Sequence, residues 1–157
     1  MKAHTTTRTE RGSDVDETSP PRISRLDALA AVLALAGLAD AIYLTVEHLS
    51  GRSVRCGLTS GCSEVLSSSY ATFGGYPLAL FGALAYFTAF ALATLAAFGS
   101  IRARHLLTPL VALMFAMTVW LLYLQAFVLR AFCQYCLLSA AITSLLVVVV
   151  IAGRVKS

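Results

Sequence analysis

The sequence predicts an all-α integral membrane protein: four membrane-spanning helices in one bundle, with a short amphipathic helix in the first outer loop. Three observations lead there. Apolar residues make up 58% of the chain and charged residues only 13%, whereas charged residues are about a quarter of an ordinary soluble domain. The apolar residues fall into four long runs, separated by two tight connections and one sizeable loop. The basic residues gather at the ends of those runs instead of forming a stripe. The net charge of +4 therefore carries no nucleic-acid signal, and its distribution reports topology. With 157 residues there is chain for one domain and none for a hidden water-soluble catalytic unit.

Residues 1–25 are polar, rich in Thr and Ser, and close with Pro20 and Pro21. Such a stretch cannot bury a core and reads as a disordered cytoplasmic tail. A redox or other membrane domain then occupies 26–153. Its first span is 26–49, long enough to cross a hydrocarbon core of about 30 Å at about 1.5 Å per residue. The run Leu26 to Ala41 ends in Ala-Asp-Ala, a small-x-small pattern that a signal peptide would show. Apolar character continues through Ile42, Tyr43, Leu44 and Val46, so this segment is expected to stay as a span. Gly37, Asp40, Tyr43 and Glu47 mark a polar line along one helical face. A carboxyl group this far into a span is expensive unless it faces the bundle interior. Asp40 is accordingly expected inside, neutral or hydrogen-bonded to a Thr or Tyr, with helix packing and quinone binding or proton transfer as its two possible roles.

The loop from Ser50 to Tyr76 holds Cys56 and Cys62. From Cys62 onward, Val65, Leu66, Tyr70 and Phe73 recur at helical spacing with serines between them, which suits a helix lying flat over the bundle. Cys62 would begin that helix, with Ser60 as a cap, while Cys56 stands on freer chain and is the more accessible thiol. Gly74-Gly75-Tyr76-Pro77 is a turn ahead of a helix start, and 77–98 forms the second span. Gly99 to His105 reads as a short basic turn, 106–128 as the third span and 133–152 as the fourth. Both chain ends then lie on one side. Lys2, Arg8, Arg11, Arg22, Arg25, Arg102, Arg104, Arg154 and Lys156 fall on that side, against Arg52, Arg55 and Arg130 on the other. The positive-inside rule puts the termini in the cytoplasm of a cell with this protein in its inner (plasma) membrane, and the cysteines on the outer, oxidising face.

The chemistry rests on four cysteines. Cys133 and Cys136 form a Cys-x-x-Cys at the mouth of the last span, where a helix start brings them to one face and its amides favour a thiolate. Two structural disulfides would satisfy the same count, and two close pairs could also supply four thiolates to a metal ion. The spacing at a helix start favours an exchangeable redox pair.

The joint pattern resembles the vitamin K epoxide reductase family in its bacterial disulfide-forming branch. Cys56-x5-Cys62 lies in the first outer loop, followed by Ser63-Glu-Val-Leu-Ser-Ser68, then Gly75-Tyr-Pro-Leu at the second span and Phe132-Cys133-x-x-Cys136-Leu at the fourth. The likeness runs from about Leu26 to Ala152. Unrelated four-helix disulfide-bond oxidoreductases of the periplasm carry their Cys-x-x-Cys in the first outer loop, the reverse order.

The resemblance implies that Cys133 and Cys136 are the active-site pair beside a quinone, ubiquinone or menaquinone, with Cys136 nearest the ring. It implies that Cys56 and Cys62 are a shuttle pair and that Ser68 hydrogen-bonds a quinone oxygen. Against a resident metal stand the chain's only three histidines, two of them, His4 and His105, on the cytoplasmic side, and the lack of a metal-rich loop. Vertebrate members carry a Tyr four residues after the second active-site Cys; Ala140 stands there in this chain, which argues against epoxide reduction. Many bacterial relatives carry a fused thioredoxin-like domain after the fourth helix. This sequence stops at Ser157, so the expected electron donor is a separate thioredoxin-fold thiol oxidase. The expected activity is quinone-dependent reoxidation of that protein, which drives disulfide formation in secreted proteins. The rival expectation is a non-catalytic metal-handling or structural membrane protein.

Overall fold

A computed structural model describes residues 25–51 and 61–155. Residues 1–24 of the polar tail, Arg52, Arg55, Cys56, Ser60 and Lys156 lie outside the described residues. Among the described residues, four helices are long and apolar enough to cross a membrane: α1 (Arg25–Leu49), α3 (Leu78–Ala97), α4 (Ile101–Tyr123) and α5 (Gln134–Val155), with the short α2 (Cys62–Ser67) between the first two. The protein is an all-α membrane helical bundle. α1 packs on α3 and α5, and α4 packs on α3 and α5, which closes a four-membered ring.

Small side chains set the spacing of that ring. Ala30, Ala34 and Ala41 of α1 meet Ala83, Ala89 and Ala93 of α3 in the main core, closed by Leu107, Val111 and Leu146 from α4 and α5. Lipid tails are as apolar as Leu, so helix contacts in a membrane rely on close approach of such small residues. The larger side chains, among them Val32, Leu84, Phe87, Leu113, Leu145 and Val148, point outward where lipid would cover them. At the termini end, Arg104 of α4 forms an ion pair with buried Asp27 in the first turn of α1.

The helix ends explain where the spans depart from expectation. The basic turn expected over Gly99 to His105 is only about Gly99 and Ser100, and the third span begins at Ile101 instead of Leu106. Gly99 takes φ +91, a conformation that costs a glycine little, and the Ser100 amide donates back to Leu95 O at 3.1 Å. The Ser100 hydroxyl then accepts from the Ala103 amide at 3.4 Å and caps α4. A C-terminal glycine followed at once by an N-cap serine reverses the chain without spare residues. Arg102 and Arg104 consequently stand on the first helical turn of α4.

The stretch after Cys62 also differs. The expected helix through Phe73 ends at Ser67, because Ser68 takes an extended backbone and its Oγ donates to Val65 O at 2.7 Å. Serines favour such local bonds over helix propagation. A single 3-10 turn, Ser69–Ala71, leads into a two-stranded hairpin of β1 (Thr72–Phe73) and β2 (Tyr76–Pro77). Gly74 and Gly75, at φ +60 and +85, make its two-residue turn. The cap of α2 is Gly61, without a side-chain hydrogen bond, in place of the expected Ser60.

The fourth span starts one residue late, at Gln134, with Cys133 immediately before it. Before it, α4 widens into a π-helical segment, Leu124–Leu129, that no apolar pattern foretold, and Arg130 follows at φ 49.

A thiol pair at the mouth of an apolar cavity

Cys133 and Cys136 are free thiols, and Cys62 is held in a disulfide, so neither is its partner. Cys133 occupies the N-cap position of α5: its carbonyl accepts the Leu137 amide at 3.0 Å. Its sulfur faces the first helical turn. The Cys133 thiol is pulled down from its ordinary value to about 7. The Cys136 thiol donating to its sulfur is the largest cause; burial opposes the charge, and the Cys136 and Tyr135 amides add further donors. The pair is therefore coupled, with the charge drawn to the N-cap sulfur.

Cys62 belongs to the same end of the molecule. Leu44, Cys62, Val65, Ala131 and Cys133 form one buried cluster, against which Cys136 and Tyr135 pack. Cys62 is 1% exposed and Cys133 0%. The close approach depends on Gly61, where a Cβ would stand 2.8 Å from the Phe132 amide nitrogen and 2.9 Å from its carbonyl oxygen. No side chain fits between α2 and the backbone leading to Cys133. Tyr135 adds a ring contact to Tyr43 of α1, with centroids 5.3 Å apart.

Below this cluster lies a cavity of about 150 Å³ among α1, the α2 region, α3, α4 and α5. Its walls are mainly Ala, Leu and Val, including Ala41, Leu44, Val65, Leu78, Leu121 and Leu124. Cys136 lines it; Cys133 and Cys62 do not. Ser68 lines it too, with its proton donated to Val65 O. An apolar cavity of this volume accepts a single aromatic ring.

Polar groups stand at a few points on the walls. Tyr86 is 3% exposed, and its phenol oxygen lies 2.7 Å from Thr143 Oγ1 and 2.9 Å from Ser139 Oγ, both on α5. The ring can lie there because Gly37 opposes it: a Cβ on Gly37 would be 2.2 Å from Tyr86 Cε1. Gln125, on the π-helical segment, is 3% exposed and lines the cavity beside Cys136. Tyr86, Ser139, Thr143 and Gln125 were not singled out as site residues from the sequence. A lone Gln in the last part of an apolar span was the available signal for Gln125.

Asp40 fulfils half of its expectation. One carboxylate oxygen, Oδ2, is buried, but it has no hydrogen-bond partner among the described residues. The expected bond to a Thr or Tyr is not formed among the described residues: Thr45 donates to Ala41 O at 2.7 Å, and Tyr86 bonds to Ser139 and Thr143. Nor is Asp40 among the residues that line the cavity. Among the described residues, no three His, Cys, Asp or Glu side chains gather as a metal-ion site would require.

The model of the vitamin K epoxide reductase family matches residues 28–151, nearly the whole bundle. The chain belongs to the vitamin K epoxide reductase family. Family membership and the four spans make it a membrane thiol oxidoreductase.

Proposed function

We propose that this protein passes electrons from a thioredoxin-fold thiol oxidase outside the membrane to a membrane quinone, ubiquinone or menaquinone, and so sustains disulfide formation in secreted proteins. It belongs, in this reading, to the bacterial disulfide-forming branch that uses a separate donor protein. The observation that carries it is the sequence of surroundings: Cys62 and Cys133 share one buried cluster, whereas Cys136 alone of the three opens on the apolar cavity.

The outer shuttle pair is Cys56 and Cys62. A thiolate of the reduced partner attacks Cys56 of their disulfide, forming a mixed disulfide and releasing Cys62 as a thiolate. Cys62 attacks Cys133 of the Cys133–Cys136 disulfide, which forms Cys62–Cys133 and releases Cys136. The partner's second thiolate displaces Cys56, leaving the partner oxidised, and Cys56 then displaces Cys133 to restore Cys56–Cys62. The inner pair now holds two electrons as a dithiol. When bound, the quinone supplies the electron acceptor: closing Cys133–Cys136 releases two electrons and two protons, and quinol is the product. Leu44, Val65 and Leu121 exclude water from the site, and Tyr86, Ser139 and Ser68 are among the hydroxyl-bearing residues on the walls that would hold a quinone oxygen.

Topology follows from the basic residues. Arg25, Arg102, Arg104 and Arg154 stand at the termini end of the helices, and Arg130 at the cysteine end. That asymmetry favours cytoplasmic termini and an outward-facing cysteine cluster.

The test uses the detergent-solubilised full chain with a short-tailed quinone. Cys136→Ala is expected to reduce quinone turnover to background while the protein keeps its melting temperature, since Ala fits a helix at little packing cost. Cys56→Ser is expected to keep turnover with dithiothreitol and lose it with a reduced thioredoxin-fold donor. Substantial turnover in Cys136→Ala would refute the quinone assignment. Equal loss with both reductants in Cys56→Ser would remove Cys56 from the docking role.

A further inference from the structure

The connection that carries Cys133 converges on one buried side chain. The carbonyl of Gln125 accepts the Arg130 amide and the Ala131 amide, the latter at 3.2 Å. Its side-chain Oε1 accepts the Cys133 amide at 3.3 Å. Its side chain also hydrogen-bonds to the Cys136 thiol, and both residues line the cavity. Gln125 is thus tied to the backbone on either side of Arg130, to the first cysteine and to the second.

The chemistry of an amide matches these positions. An N–H donor can bond only to the oxygen end, so the Cys133 amide fixes which end is Oε1. The Nε2 group is left as the donor available to sulfur. A Leu here would supply neither bond, and a Glu carboxylate would supply acceptors with no proton. The backbone is built to present this one residue: the π-helical turn Leu124–Leu129 re-aims the chain where a regular α-helix would not, and Arg130 takes φ 49 to close the turn. π-helical turns of this kind recur at functional sites.

We infer that Gln125 is the positioning residue of the thiol pair, using its oxygen to hold the Cys133 backbone and its Nε2–H to stabilise the Cys136 sulfur towards the cavity once Cys133 is taken up in a disulfide and Cys136 is released as a thiolate. The inference deepens the proposed function, since it rests on Cys136 being the cavity-side thiol. It can fail independently, because thiolate reactivity is measured without any quinone.

The test compares the protein with the wild-type Gln125, Gln125→Leu and Gln125→Glu, each as solubilised full chain carrying Cys133→Ser, so that Cys136 has no thiol beside it to take its charge. Alkylation of Cys136 by iodoacetamide is followed across pH by site-resolved mass spectrometry, beside the melting temperature. Gln125→Leu is expected to slow alkylation about tenfold, the size of one hydrogen bond to a charged group. Gln125→Glu is isosteric and, when protonated, carries both an acceptor and a donor. Its rate relative to the Gln125 protein is expected near one at low pH, falling as pH rises and the glutamic acid loses its proton. A Gln125→Leu protein that melts like the Gln125 protein and alkylates at the same rate would overturn the inference. So would a Gln125→Glu protein whose pH profile runs parallel to that of the Gln125 protein, and that variant decides the matter if Gln125→Leu does not fold.

Discussion

The two ends of the bundle are built on opposite principles. Towards the termini, α1 and α3 meet through Ala30, Ala34, Ala89 and Ala93 in regular helix, and the charged pair Arg104–Asp27 closes that end. Towards the cysteines, regular helix gives way to a π-helical turn, a left-handed Arg130, the N-cap Cys133 and a glycine contact at Gly61. Packing in the first region needs only small residues at helical spacing. The second holds the Cys62 helix beside Cys133, with the π-helical turn, Arg130 and Gly61 all adjoining that contact. Rigid helices set the frame, and departures from helix place the chemistry.

Breaking the packed region should leave the thiols working. Gly37→Ala places a methyl group inside the Tyr86 ring position, 2.2 Å from Cε1, so the ring must move. A cost of about 1–3 kcal/mol is expected, as for other overpacked sites, read as a fall in melting temperature. Because Tyr86 lines the cavity, the quinone KM should rise, while reduction of the protein by dithiothreitol keeps its wild-type rate. Loss of the dithiothreitol reaction would show that the two ends are not separable.

A milder change sharpens the division at its boundary. Tyr86→Phe removes the phenol but spares the Thr143 hydroxyl bond to Ser139 O at 2.9 Å. The expected loss is about 1–2 kcal/mol, since the phenol bonds to both Ser139 and Thr143 and each buried hydrogen bond is worth about 1 kcal/mol net, checked by chemical or thermal unfolding. The smallest effect concerns pH. The Cys133 thiol is drawn down to about 7, so its thiolate fraction rises with pH and is half complete near neutrality. Its exchange rate with a small disulfide should climb to that point and level off above it. In Cys136→Ala the thiol that donates to Cys133 is gone, and the midpoint should move upward. An unchanged midpoint would assign the lowering to the helix amides alone.

Much of this was readable in the chain. Uninterrupted apolar runs bounded by glycine, proline or basic residues mark the spans, and the Cys133-x-x-Cys136 pair carries its own helix start. Tertiary contact decided the remainder. Whether α4 ends as α-helix or opens at Leu124 depends on where Gln125 finds its partners on the Cys133 connection, eight residues away in sequence. Tyr86 and Thr143 lie 57 positions apart, and nothing local pairs them. The early end of α2 follows from Ser68 bonding to its own backbone, a choice that hydrophobic spacing alone does not register. The buried end of Asp40 was legible from the cost of a carboxyl group in a span, whereas the lack of a partner was not.

In the proposed relay, electrons pass from the loop to the helix-mouth pair through a Cys62–Cys133 bond. Their presence in one buried cluster, with Gly61 seated on the Phe132 backbone, motivates a direct trap. In a Cys56→Ser, Cys136→Ser double variant, both alternative partners are removed and mild oxidation should yield a Cys62–Cys133 disulfide in high proportion, identified by peptide mass under non-reducing conditions. Recovery of both thiols free after oxidation, from a protein that melts like wild type, would contradict the relay.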